Sequence, residues 1–179
     1  MGAQQVAETA TSAQACPYVV GDDGLAAWSE THADAWIGLL EAHKRLTRAL
    51  DAELEARHGL SLSGLELLGR LAAADGRRLR LSALAQAASL SLSRVSRIID
   101  LLEARGLVER RPCSADARAV EAHLSNAGLE LVRNAQATHF ASVQERFFDR
   151  LEPGELEVLA EVFGRLAPRA AASCTEKRT

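Results

Sequence analysis

The fold is best predicted from one stretch of the sequence, Leu92-Ser-Arg-Val-Ser-Arg-Ile-Ile-Asp-Leu-Leu-Glu-Ala-Arg-Gly-Leu-Val-Glu-Arg-Arg111. Steps of 100° per residue predict a helix that ends near Arg105, with Gly106 beyond it. Its apolar side chains gather on one buried face, whereas the opposite face presents hydroxyl and arginine side chains. The buried set is Val95, Ile98, Ile99 and Leu102, and the outward set is Ser93, Ser96, Arg97 and Asp100, with Arg94 at one flank. Hydroxyls and a guanidinium fork suit phosphates and base edges, although an amphipathic surface helix is the simpler alternative.

The residues around this helix predict a winged helix-turn-helix over residues 61–124. Two shorter helical stretches precede it, and Ser89-Leu-Ser91 breaks the chain immediately before it. After Gly106 the apolar period changes to alternation, which predicts strands at 107–111 and 117–124 joined by a hairpin loop at 112–116. A helix of this width fits the major groove of DNA.

The flanking regions predict a mainly α-helical chain. Residues 1–24 are small, polar and aperiodic, so we expect a flexible N-terminal tail, with a C-terminal tail at 171–179. Helical apolar spacing over 25–60 and 125–170 predicts a helical dimerisation region, because these stripes expose more apolar surface than one small lobe can cover. The second helix is expected to start near Ser61 or Ser63, and Ser63 has capping-box spacing to Glu66. Ser82 and Ser125 are expected to cap the starts of later helices.

Charge and composition narrow the function classes. The net charge is −3, yet residues 77–118 hold nine arginines against four acidic residues, a basic island of +5 on an acidic body. No bilayer-length apolar run or leader is evident, so we expect a cytoplasmic protein without a membrane partner. Three distant cysteines predict neither disulfides nor zinc, and the histidines match no catalytic or metal motif. We therefore expect no enzyme activity, no metal and no cofactor.

Several motifs together resemble the MarR family of transcription regulators. They are Leu81-Ser-Ala-Leu-Ala85, the stretch quoted first, Asp116-Ala-Arg118-Ala119 and Leu124-Ser-Asn-Ala-Gly128. The likeness spans about Trp36 to Leu166, and the chain is most similar to an actinobacterial-looking group with an RPC-type wing. It departs from the family pattern at Leu101, where arginine is common, at Leu65, where an aromatic residue is usual, and at Ser114, where proline is usual.

The resemblance implies a homodimeric repressor that binds a pseudo-palindromic operator in double-stranded DNA. It implies that Arg118 enters the minor groove at the wing tip while Asp116 orients a neighbouring arginine, and that Arg110 and Arg111 contact phosphate. The predicted DNA-binding residues are Ser91, Ser93, Arg94, Ser96, Arg97, Arg110, Arg111, Asp116 and Arg118.

The family also implies regulation by a small aromatic or anionic effector. The predicted effector-binding residues are Trp36, His43, Leu65, Leu68 and His139. Two alternatives remain open. Cys113 lies in the predicted wing loop beside arginines that would stabilise its thiolate, which would suit a thiol-oxidation-responsive regulator. A helical interaction protein without DNA binding would explain the dimerisation helices but not the arginine-bearing wing.

Overall fold

A computed structural model describes residues 18–113 and 116–167, without the side chains of residues 116–118. The chain divides into two compact units, Met1–Arg45 and Leu46–Thr179. The described residues form six α-helices with small antiparallel sheets, which confirms the predicted mainly α winged helix-turn-helix.

The first unit holds a hairpin that the sequence did not predict. Strands β1 (Tyr18–Val20) and β2 (Ala26–Trp28) pair antiparallel, and Gly24 takes a φ of +77° in the turn between them. The prediction of a flexible tail over 1–24 is therefore wrong for residues 18–24, and residues 1–17 lie outside the described part. Helix α1 (Glu30–His58) starts later than expected, because the hairpin occupies its predicted first turn.

The second unit contains the remaining helices. Three of them begin at hydroxyl caps, Ser61, Ser91 and Ser125, each of which accepts a hydrogen bond from a backbone N–H. Ser61, and not the predicted capping box at Ser63, caps the second helix, and Ser82 makes no cap bond. The helices are α2 (Leu62–Ala73), α3 (Leu81–Ala87), α4 (Leu92–Ala104), α5 (Asn126–Arg146) and α6 (Glu155–Leu166).

A three-stranded antiparallel sheet of order β3-β5-β4 forms the wing and its base. Both wing strands are longer than predicted, since β4 and β5 reach into the expected loop and leave residues 114–115 between them. The strands are β3 (Arg78–Arg80), β4 (Val108–Cys113) and β5 (Asp116–Leu124). In this register Arg110 lies opposite the buried Ala122, while Arg111 lies opposite Glu121 on the other face.

The core of the second unit lies among α2, α3, α4, the sheet and the first turns of α5. Leu67, Leu68 and Leu71 of α2 are fully buried there, together with Leu84 of α3 and Ile99 of α4. Helix α2 packs against both α5 and α4, and α4 packs against β4. The apolar face of α4 is therefore held by the core, which leaves its polar face outward.

Helix α6 contributes no buried residue to this core. Its large apolar side chains at Leu156, Val158, Phe163 and Leu166 are between 40% and 70% exposed. Among the described helices, none combines the length and apolarity needed to cross a bilayer.

Candidate nucleic-acid interface

Helix α4 begins at the residue that the sequence indicated. Ser91 is extended, and its hydroxyl accepts a hydrogen bond from the Arg94 amide at 3.3 Å and lies 3.1 Å from the Ser93 hydroxyl. An N-cap hydroxyl satisfies one of the amides that a helix start leaves unpaired. The cap therefore fixes the first turn of α4, where Ser93 and Arg94 are exposed.

The predicted two faces of α4 are present. Val95, Ile99 and Leu102 are buried, whereas Ser93, Arg94, Arg97, Asp100 and Leu101 are exposed. Arg94 donates to the Ser63 hydroxyl at 3.4 Å, which ties it to the first turn of α2. For Arg97 the structure gives no side-chain hydrogen bond, so within the described residues its five donors remain available to a ligand.

Arg110 joins the wing to α4. Its Nη1 donates to carboxylates of Asp100 at 2.5 Å and Glu103 at 2.9 Å, and its Nη2 donates to the Ser96 carbonyl at 2.9 Å. The Arg110 amide also donates to Glu103 at 2.8 Å. Burial opposes the charged form, but the hydrogen bonds to both carboxylates outweigh it and raise the pKa of Arg110.

These contacts change the interpretation of Arg110. Its side chain is only 22% exposed and its guanidinium is occupied within the chain. The family resemblance had placed it among the phosphate contacts. Strand alternation instead turns it toward α4, so it positions the helix relative to the wing.

Arg111 lies on the opposite face of the sheet and is 55% exposed. It donates to Glu109 at 2.6 Å, and this hydrogen bond lowers the pKa of the Glu109 carboxyl. The same face carries Glu121 and His123, whose side chains lie 3.3 Å apart. Arg111 is thus accessible, although its guanidinium is paired with the exposed carboxylate of Glu109.

The tip of the wing carries the other predicted contacts. The backbone of Asp116 and Arg118 belongs to strand β5. Their side chains lie outside the described residues, and the predicted partnership between the aspartate and an arginine stays a prediction.

Cys113 differs from the sequence expectation. It ends strand β4 and is 6% exposed, so the prediction of an exposed loop position is wrong. Arg80 Nη2 donates to its sulfur at 3.4 Å, and a hydrogen bond from Cys113 lowers the pKa of the Glu121 carboxyl. Burial removes the accessibility on which an oxidation-sensing role depends.

The predicted effector residues fall into different environments. Trp36 and His43 are exposed on α1, two turns apart. Leu65 and Leu68 of α2 are 5% and 0% exposed and belong to the hydrophobic core. His139 of α5 is half-buried, and its buried Nδ1 has no hydrogen-bond partner among the described residues.

One positioning residue was missed by the sequence prediction. Arg105 follows α4 and donates to the carbonyls of Gly59 and, at 3.1 Å, His58, which end α1. A guanidinium at a helix C-terminus pairs with unsatisfied carbonyls and with the negative end of the helix dipole. The residues around Gly106 gave no signal for this, since the contact joins residues more than forty positions apart.

Comparison with known proteins identifies the family of the chain. A model described as the MarR family matches residues 58–119. The crystal structure of AbsC, a MarR family transcriptional regulator from Streptomyces coelicolor, is 35% identical with a TM-score of 0.73. That likeness covers 79% of this chain and 95% of AbsC. The chain belongs to the MarR family.

Other relatives of this MarR-family chain agree. Sco3205 from Streptomyces coelicolor, a MarR family transcriptional regulator solved in complex with DNA, is 32% identical with a TM-score of 0.73. The match covers 79% of this chain and 89% of Sco3205. The uncharacterized HTH-type transcriptional regulator YhbI of Bacillus subtilis is 32% identical over 97 residues, 54% of this chain. The chain spans only 62% of the length of YhbI.

Proposed function

We propose that this MarR-family chain is a transcriptional regulator that binds double-stranded DNA sequence-specifically as a homodimer. The observation that carries the proposal is the outward face of α4, where Ser93 and Arg97 stand exposed on a helix fixed by the Ser91 cap and the Arg110 bridge. A rigid helix with unsatisfied donors fits the major groove, where base edges differ between base pairs. The DNA complex of Sco3205, a relative, supports this.

Within this proposal the site residues take distinct roles. Ser93 and Arg97 read base edges, and Arg94 and Ser91 lie at the helix end nearest a phosphate. Arg118 enters the minor groove, where a narrow groove concentrates negative potential. Arg111 supplies phosphate charge from the outer face of the sheet, whereas Arg110 and Ser96 hold the helix against the wing.

Exposed apolar surface on α6 supports the homodimer. The exposed side chains of α6 form a face without a partner in the described part of the chain. Contiguous apolar surface of this kind marks an interaction site. A two-fold dimer would present two α4 helices to major grooves about 34–36 Å apart, which favours a pseudo-palindromic operator.

We further propose repression, relieved by a small aromatic or anionic effector. Trp36 is 53% exposed and His43 is exposed on the same helix, so both offer an aromatic or imidazole contact to such a molecule. An effector acts only if it prefers the DNA-free form. Trp36→Ala and His43→Ala should keep DNA affinity but lose release by phenolic acids. A panel of phenolic acids that changes neither the gel shift nor the melting temperature of the protein would contradict this proposal.

The test of DNA binding begins with selection from a randomised duplex of about 30 base pairs, long enough for two half-sites. Affinity for the selected duplex is then measured at about 50 to 200 mM salt, where phosphate contacts give a steep decline. Arg97→Ala should relax preference at one base pair by about 1–3 kcal/mol. Arg118→Ala should weaken binding to the selected duplex and to random duplexes by a similar factor. No enrichment of any sequence together with no salt dependence would contradict the proposal.

A further inference from the structure

A groove of about 390 Å³ opens between the first turns of α3, the first half of α4 and strand β5. All of these elements belong to the second unit. Its lining is mainly aliphatic, with two hydroxyls. The residues are Leu81, Ser82, Leu92, Ser96, Ala119 and Val120.

The register of the wing explains why this groove is apolar. Val120 lies opposite Pro112, on the same face of the sheet as the buried Ala122 and Leu124. It therefore continues the core-facing row outward beyond the core, where it is 40% exposed. Leu92, the first residue of α4, is 54% exposed and lines the groove with it. Exposed aliphatic side chains collected in one groove indicate a surface that an apolar group covers.

The charges around the groove identify the kind of occupant. Arg94 and Arg97 are exposed on the same half of α4, and Arg110 Nη2 reaches the Ser96 hydroxyl in the wall at 3.3 Å. Among the described residues the lining includes no carboxylate, and the nearby Asp100 is paired with Arg110. The surface therefore complements a ligand that is anionic and carries an apolar part.

The sugar–phosphate strand of duplex DNA has both properties. If α4 occupies the major groove and the tip of β5 the adjacent minor groove, the strand that separates those grooves must pass between the two elements. The apolar groove lies between them. This step rests on the proposed DNA-binding function.

We propose that the groove seats one deoxyribose of that strand, with Leu92 and Val120 packed on its C–H face and the hydroxyls of Ser82 and Ser96 toward the phosphate. A 2′-hydroxyl at this position would lose water against aliphatic side chains without gaining a partner. The groove thereby makes binding selective for DNA over RNA at one nucleotide of each half-site.

The test measures affinity for the selected duplex and for copies that carry a single ribonucleotide at each position in turn. Wild type should lose about threefold to tenfold in affinity at one nucleotide per half-site. Val120→Ser and Leu92→Ser should weaken binding of the all-DNA duplex by about threefold to tenfold and abolish most of that ribose penalty. Their salt slope should match wild type, because no phosphate charge is removed.

Leu101→Ser is the matched control, since Leu101 is 69% exposed on α4 and does not line the groove. It should keep the ribose penalty of wild type. Melting temperatures equal to that of wild type would show that the variants fold. If Val120→Ser does not fold, the nearly isosteric Val120→Thr replaces it in the test.

Two outcomes separate failure of this inference from failure of the proposed function. Salt-dependent binding by wild type without a ribose penalty at any position, or with a penalty that Val120→Ser and Leu92→Ser leave intact, overturns the deoxyribose seat alone. Absence of salt-dependent binding to every duplex overturns the DNA-binding proposal as well.

Discussion

Arg110 shows how much of the candidate interface depends on one largely buried guanidinium. Its side chain bridges Asp100, Glu103 and Ser96, and its removal would take this partner from the half-buried Glu103 and Ser96, whereas water can replace it at the exposed Asp100. Leaving buried polar groups unpaired costs more than the net value of a hydrogen bond. The orientation of α4 relative to the wing therefore depends on this residue.

We expect Arg110→Ala to lower the free energy of unfolding by about 1–3 kcal/mol and to weaken DNA binding. Arg110→Lys should retain only part of the wild-type stability and DNA affinity, because one ammonium cannot reproduce the planar fork that reaches both α4 carboxylates and the Ser96 carbonyl. Chemical denaturation and anisotropy titration measure the two effects. Arg111→Ala, at a 55% exposed position, is the control and should leave the free energy of unfolding close to that of wild type. Equal stability of both alanine variants would contradict the bridge.

His139 makes a second residue-scale prediction, on pH. Burial lowers the pKa of His139 below its ordinary value of 6.5. The unfolded chain then takes up a proton before the folded chain does, so stability declines as pH falls through about 6.5 and levels off below the folded pKa. The melting temperature of His139→Gln should depend less on pH between about 8 and 5 than that of wild type. If the difference in melting temperature between wild type and His139→Gln stayed the same across this pH range, the lowered pKa of His139 would be contradicted.

At the scale of elements, the junction between the wing and α5 is a tightly packed contact of the second unit. Gly128 lies in the first turn of α5, and a Cβ built there would stand 2.2 Å from the Leu107 carbonyl oxygen and 2.7 Å from Leu124 Cδ1. The Leu107 carbonyl also accepts the Ser125 amide at 3.0 Å, so it cannot move freely. The base of the wing is thus fixed against α5.

Gly128→Ala should destabilise the protein by about 1–3 kcal/mol, although alanine favours helix, because backbone must shift to admit the methyl group. Gly164→Ala in α6 is the matched control, since nothing in the described part of the chain lies within 4 Å of the point where its methyl group would stand. It should stabilise by up to about 1 kcal/mol. Thermal unfolding measures both, and a neutral or stabilising Gly128→Ala would show that the junction is loose.

At the scale of the whole molecule, the unpaired apolar face of α6 predicts a dimer in solution. Phe163→Glu places a charge on this face, where Phe163 is 40% exposed, and should raise the dissociation constant by about tenfold or more. Sedimentation equilibrium at micromolar concentration measures it. Leu101→Glu, at a 69% exposed position on α4, should sediment like wild type. A wild-type monomer under these conditions would contradict the proposed dimer.

Features that depend on near neighbours could be predicted from the sequence alone. The break before Leu92 and the stop at Gly106 follow from local turn residues, whereas the two faces of α4 and the alternation of the wing strands follow from periods of 3.6 and 2.0 residues. These patterns were sufficient for the fold class and for most residues of the outward face. They failed at residues 18–28, whose hairpin lacks a strong strand signal.

Features that depend on strand register and on residues distant in sequence became evident only from the packed fold. Strand pairing turned Arg110 toward α4 and buried Cys113, because one residue of register decides which face of a sheet a side chain occupies. The Arg105 contacts with the end of α1 and the groove between Leu92 and Val120 join residues far apart in the chain. Local periodicity fixes which side chains of an element share a face, whereas only packing fixes whether that face meets the core or the solvent.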